Sequence, residues 1–190
     1  MRMRNVMTAA LAGLALLGFA SSASASTDFT WPPKDVQPVH KTKAELQKQA
    51  DEFSAHQKKA FPRAFRGAQN VATGNWGGEA EGVFDDMQYM GNSVTFTYNG
   101  QKVNTFTQVN APGFLKASPK EYCETTTCTA IVDDHRGGVT VLEKLDQWGI
   151  VSARNWRPNG EVVWVQSWTP GTEKQLAQLA EDRAFTFTKK

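Results

Sequence analysis

Residues 147–168 read QWGIVSARNWRPNGEVVWVQSW, and their reading decides the fold. The stretch turns at Arg157-Pro158-Asn159-Gly160. Proline at the first turn position presets φ, asparagine tolerates the second, and glycine supplies the left-handed residue of a type I turn with a G1 bulge. That turn sets Arg157 opposite Glu161 and runs the register outward. Trp156 then meets Val162, Arg154 meets Trp164, Ser152 meets Gln166 and Ile150 meets Trp168. Alternation places Trp156, Arg154, Trp164, Ile150, Trp168 and Val162 on one face, and Val151, Ala153, Val163 and Val165 on the other.

One face is thus small and β-branched, and the other is aromatic with a cation among the rings. Three tryptophans present roughly 450–750 Å² at ~150–250 Å² each, against the ~300–600 Å² apolar patch that a soluble monomer leaves open. That face is therefore either core or binding site. A guanidinium stacked on indole is common in binding grooves and also occurs at the rim of a core. The expectation is that Trp164 is core and that Trp156, nearer the turn, is the more exposed ring. A contact through this sheet would then centre on Trp156 and Arg154, with Trp164 and Trp168 on the same face.

Outward from the hairpin, the next strands are Thr129 to Val132 and Val139 to Leu145, paired across Asp133-Asp134-His135-Arg136-Gly137-Gly138. A second hairpin covers Ser93 to Asn110 and turns at Asn99-Gly100, with Phe96 opposite Val103 and Val94 opposite Thr105. From Phe65 to Trp76 the pattern is indistinct. Thr42-Lys43-Ala44-Glu45 is a capping box, and its helix should reach about Ala60 before Pro62. The apolar stripe Leu46, Ala50, Phe53 and Ala60 or Phe61 is narrow, which suits a surface helix laid on a sheet. A final helix opens at Thr172 with Gln175 at the capping-box position and turns Leu176, Leu179 and Ala180 inward. Phe185 and Phe187 follow as a tail that packs back. The sum is two helices and about seven strands. This is an α+β fold, an antiparallel meander sheet packed by an N-terminal and a C-terminal helix. No βαβ alternation, repeat or linker argues for more than one domain, 42–190, preceded by an extended arm, 26–41.

The first 25 residues read as a secretory signal peptide. Arg2 and Arg4 form the basic end, Met7 to Ala20 the apolar run, and Ala23-Ser24-Ala25 the cleavage site. The run is short for a membrane span, so no stable membrane insertion is expected after processing. Of 190 residues, removal of 25 leaves 165; the chain has 21 Lys and Arg against 19 acids, and the leader takes two arginines and no acid, so the mature net charge is 0. A neutral domain without a basic stripe argues against nucleic acid or an anionic membrane as the main partner, so no nucleic acid is expected.

Two cysteines remain, Cys123 and Cys128, and export favours a bridge between them. Closing so short a loop is worth roughly 2 kcal/mol in the chain-entropy model. Redox dithiols space their cysteines C-x2-C, and a zinc site would need a second ligand pair. Glu79, Glu81, Asp85 and Asp86 form an acidic cluster that reads as a solvated strand edge or, alternatively, a calcium site without the EF-hand pattern.

From Ile131 to Phe187 three motifs stand out: D-D-H-x-G-G at Asp133 to Gly138, R-P-N-G at the hairpin turn, and T-x-x-Q-L-A at Thr172. In these the chain resembles small exported proteins of actinobacteria that have no settled activity. The resemblance covers about a third of the mature chain. It implies export and an α+β architecture, and it transfers no catalytic residue.

Chemistry has few candidates. The histidines are His40 in the arm, His56 on the polar side of the first helix, and His135. Only His135 stands in a constellation, beside Asp133, Asp134 and Arg136, where a carboxylate could orient an imidazole. The same residues are those that loops prefer for turn geometry alone. No G-x-S-x-G or H-E-x-x-H is present, and no cofactor or metal is expected. Three function classes follow. The first is a secreted, non-enzymatic protein that binds an extracellular protein or small molecule through the aromatic face. The second is a secreted protease inhibitor presenting the Cys123–Cys128 loop. The third is an extracellular hydrolase using His135 and its carboxylates.

Overall fold

The computed structural model describes residues 29–37, 39–78 and 88–188. The leader and the acidic cluster at 79–86 lie outside the described residues. In chain order the elements are α1 (Lys43–Ala64), β1 (Gln69–Thr73), β2 (Tyr89–Tyr98), β3 (Gln101–Asn110), α2 (Pro119–Thr125), β4 (Cys128–Asp133), β5 (Val139–Leu145), a 3-10 turn (Asp146–Trp148), β6 (Ile150–Trp156), β7 (Val162–Ser167) and α3 (Glu173–Ala180). The strands form one antiparallel sheet in the order β1-β2-β3-β7-β6-β5-β4. It is the expected α+β fold, built as two meanders joined where β7 lies beside β3.

The hairpin takes the register its turn dictates, from Trp156 opposite Val162 to Val151 opposite Ser167. Gly160 sits at φ +85° and donates its N–H to the Arg157 carbonyl at 2.9 Å, while Arg157 N–H reaches the Glu161 carbonyl at 3.0 Å. The Ile150–Trp168 pair does not form as a ladder pair. Strand β7 ends at Ser167, whose hydroxyl accepts the Thr169 N–H at 3.1 Å and turns the chain toward α3. The capping box at α1 is present, with Thr42 N–H on the Glu45 carboxylate at 2.8 Å. At α3 the expected box is absent, because Thr172 turns its hydroxyl back to the Thr169 carbonyl at 2.7 Å.

Helix α1 runs past the expected stop near Ala60. Pro62 sits in its last turns, where the missing N–H costs one bond. The extension brings Phe61, Ala64 and Phe65 into the core with Phe96. That core lies between α1 and α3 and the β-branched sheet face, on Val94, Val103, Val151, Ala153, Val163 and Val165. Gln57 and Asn92 cross it as a reciprocal amide pair, both bonds 2.8 Å, so neither buried amide goes unpaired there.

Two elements were invisible to sequence periodicity. Strand β1 is a mostly exposed edge whose Asn70 takes φ +55°. Helix α2 is a short helix opened by Ser118-Pro119-Lys120-Glu121, a complete capping box with Glu121 on the Ser118 N–H at 2.8 Å.

The aromatic face lies on the opposite side of the sheet from α1 and α3. Trp156, Val141 and Val162 form a second, smaller core there, beneath Phe29, Trp31, Leu115 and Tyr122. The arm is held by Trp31 Nε1 donating to the Leu115 carbonyl at 3.2 Å, and Trp156 Nε1 donates to the Ala117 carbonyl at 3.0 Å.

Candidate functional site

The second face is divided by the arm and α2. Its upper end, next to the Pro158-Asn159-Gly160 turn, is closed, and Trp156 is 0 % exposed. The expectation that Trp156 is the more exposed ring is therefore reversed. Proximity to a turn suggested exposure, but the arm and the 111–118 connection fold over that end. Trp164 is half-buried instead of core, and Trp168, just past β7, is 48 % exposed.

The open part is a row across three strands and one helix. Register places Arg154 on β6 opposite Trp164 on β7, and Trp164 opposite Gln108 on β3. Helix α2 lays Tyr122 on the other side of Arg154. The Arg154 guanidinium carbon sits 4.3 Å from the Tyr122 ring centre and 4.7 Å from that of Trp164. Phe106 completes the row, 5.7 Å from Trp164 and edge-on to it. Its position depends on Gly91, where an added Cβ would lie 2.7 Å from the Phe106 Cζ. Ser93 and Asn104 are exposed beside it, and Gln108 and Gln166 are half-buried.

Beneath Arg154, Glu143 is buried and accepts from the Tyr122 hydroxyl at 2.9 Å and from Ser152 Oγ at 2.8 Å. Burial pushes the Tyr122 phenol up to about 12, with the Glu143 carboxylate adding to it against the pull of Arg154, so Tyr122 stays a donor. Burial also lowers the Arg154 pKa, offset in part by Tyr122 and Glu143. Two buried donors in this row, Arg154 Nε and Trp164 Nε1, have no hydrogen-bond partner among the described residues.

The bridge between Cys123 and Cys128 is formed, with Cα atoms 5.4 Å apart. It ties the end of α2 to the start of β4, and so fixes the helix that carries Tyr122. The bridged segment is helical through Thr125, not an extended loop of the kind a protease cleft accepts.

His135 belongs to a different place. Asp133 accepts the His135 N–H at 2.7 Å, and buried Asp134 accepts from Arg136 N–H at 2.8 Å, Gly138 N–H at 2.7 Å, Asn155 Nδ2 at 2.9 Å and the Arg183 guanidinium. Both aspartates therefore build the turn. His135 itself is exposed at φ +55°. It lines a cleft of about 580 Å³ with His56, Arg63, Glu181 and Asp182. There His56 Nε2 lies 2.7 Å from Asp182 Oδ2, a pair that sequence reading missed because 126 positions separate its members. Among the described residues the cleft lining includes no serine, threonine or cysteine. Among the described residues no cluster of His, Cys, Asp and Glu could hold a metal ion, and no helix is long and apolar enough to cross a membrane. No family model, no curated protein and no solved structure matches the chain.

Proposed function

We propose that the chain is processed between Ala25 and Ser26 and acts outside the cell as a non-enzymatic binding protein. Its contact surface is the half-open row of Arg154, Trp164 and Phe106, with Trp168 at the margin. The observation that carries the reading is the pair of unpartnered donors, Arg154 Nε and Trp164 Nε1. A buried donor without a partner costs about 1–3 kcal/mol, so two in one partly open row are well accounted for by a ligand that brings acceptors. Tryptophan and arginine are also the residues that dominate binding energy at interfaces. The A-x-A site and the disulfide support export.

The test is capture from culture supernatant on immobilised mature protein, compared with Trp164→Phe and Arg154→Gln. Trp164→Phe keeps a ring and removes the N–H. A component retained by the parent and lost from both variants, with their melting temperatures in place, is the expected result. Retention unchanged in both variants removes this surface from consideration.

One observation favours a second reading, a hydrolase centred on the histidine cleft. His56 is oriented by Asp182, as a general base needs to be. Helix-to-helix attachment explains the same pair, since His56 is on α1 and Asp182 follows α3. An activity on ester or glycoside substrates lost in His56→Ala, and retained in Trp164→Phe, would put this reading first.

A further inference from the structure

We infer that the ligand of the aromatic row is an acidic polysaccharide, a sugar chain carrying carboxylates; this rests on the binding reading above. Three features of the row select that chemistry.

The row runs across the sheet, from Arg154 on β6 to Trp164 on β7 and Phe106 on β3, with Trp168 just past the end of β7. An extended polymer matches a surface of this shape.

The row is on a sheet face, between paired strands. Extended peptides commonly add to a sheet edge, where main-chain N–H and C=O groups are free. Every strand in the row is paired on both sides, β3 with β2 and β7, and β6 with β5 and β7. The ligand must therefore be held by side chains, through ring stacking and hydrogen bonds. Sugar rings offer both, an apolar C–H face for an aromatic ring and hydroxyls for amides. Gln108, Gln166 and Asn104 stand beside the rings to meet them.

The charges point away from nucleic acid. Among the described residues named in the row Arg154 is the one cation, with the Glu143 carboxylate buried beneath it, and a strand-binding groove for nucleic acid uses many. One guanidinium and one indole N–H, both with a donor to spare, suit an occasional carboxylate flanked by neutral hydroxyls.

The experiment is affinity electrophoresis of the mature protein through native gels containing polygalacturonate or alginate, its methyl-esterified polygalacturonate counterpart, or poly-glutamate. At least one acidic polysaccharide should retard the protein, and the esterified chain should do so about tenfold less, the worth of one charged contact. Arg154→Gln should erase that difference. Trp168→Ala, at an exposed ring, should weaken retention about tenfold without moving the melting temperature. No retardation by either acidic chain overturns the inference, as does equal retardation of the parent and both variants. Equal retardation by poly-glutamate overturns it in favour of an acidic peptide. If the acidic chains fail while supernatant capture still depends on Arg154 and Trp164, only the ligand class falls. If that capture is also independent of them, the binding reading falls with it.

Discussion

Arg157 and Glu161, on either side of the Pro158-Asn159-Gly160 turn, are a buried ion pair, 3.5 Å apart and 1 % and 0 % exposed. Between them they hold the chain from Ala180 to Thr188. Arg157 donates to the carbonyls of Ala180 and Asp182 at 2.9 Å each, to that of Phe185, and through Nε to Asn155 Oδ1 at 3.1 Å. Glu161 accepts from Phe187 N–H at 2.7 Å, Thr188 N–H at 3.1 Å and the Thr186 hydroxyl. Burial lowers the Arg157 pKa to about 10, which leaves it charged at neutral pH. Removing one partner leaves the other charged and buried, so Glu161→Ala should cost about 3–5 kcal/mol. Urea titration measures that loss, and limited proteolysis should show cleavage within residues 181–188. A change below about 1 kcal/mol would mean that the tail holds without its anchor.

Asn155 joins this anchor to the Asp133–Gly138 turn, donating to Asp134 at 2.9 Å and to Thr140 Oγ1 at 3.1 Å. The turn residues and the register of the hairpin were legible in the sequence because turn chemistry and alternation are local. So was the bridge. That the main core lies on the small, β-branched face was not, because the sequence alone left the aromatic face as either core or site. The function of Arg157 was not. A turn arginine looks solvated until a tail 28 positions away covers it. Trp156 was misread for the same reason, since the arm that buries it lies more than a hundred residues earlier. Helix α2 carried a readable signal, Ser118-x-x-Glu121 with Pro119 at its first position, and with it came Tyr122, the ring that makes the row a clasp. His56 and Asp182 show no local signal for their pairing.

Two carboxylates near the histidine cleft should pull stability in opposite directions with pH. Burial alone would raise the Asp134 pKa, but hydrogen bonds from Asn155, Arg136 N–H and Gly138 N–H, with the Arg183 charge, hold it below the ordinary range. Its stabilisation is full above the unfolded value near 3.8 and is lost as pH falls through the lower folded value. Glu181 is raised by burial, more than Thr140 and the arginines offset. Its contribution is full below the unfolded value of 4.5 and is lost as pH rises through the folded one. Urea midpoints between acid and neutral pH should therefore show Glu181→Gln gaining on the parent as pH rises. Asp134→Asn should flatten the acid limb while losing stability at neutral pH, where it strands Arg183. Parallel curves for parent and variants would contradict both assignments.

His135→Ala should leave fold and binding unchanged, because the turn is built by Asp133 and Asp134 through backbone N–H groups. Since His135 sits at φ +55°, His135→Gly is the better-tolerated probe and should match the parent in melting temperature or exceed it slightly. Loss of any measured activity in both variants with melting unchanged would move the hydrolase reading forward.

Reducing the Cys123–Cys128 bridge tests how Tyr122 is held. The short loop makes the expected loss small, about 2 kcal/mol. The local effect should be larger than the global one, because α2 has only seven residues and depends on the bridge for its docking on β4. Hydrogen exchange should rise at residues 119–125 in the Cys123→Ser, Cys128→Ser variant while β6 and β7 keep their protection. Free-thiol titration of the unfolded, unreduced protein should find none, and two thiols there would remove the premise.

Trp156, Trp164 and Trp168 should separate cleanly by cost. Trp156 is fully buried, meets the Tyr122 ring at a tilt with centres 5.5 Å apart, and donates to the Ala117 carbonyl. Trp156→Ala should therefore cost about 3–5 kcal/mol, a transfer loss plus a cavity, and it also strands a carbonyl. Trp168 has few packed neighbours to lose, and Trp168→Ala should fall within about 0.5 kcal/mol of the parent. Trp164 lies between them: truncation removes the ring under Arg154 and the edge contact with Phe106, yet its indole N–H has no bond to lose among the described residues. Trp164→Phe should consequently be nearly neutral in urea and visible only in binding. Indole fluorescence gives an independent check, since iodide should quench Trp168 and leave Trp156 untouched. If Trp164→Phe instead destabilises as much as Trp156→Ala, the row is a structural stack, and the face offers no surface for a ligand.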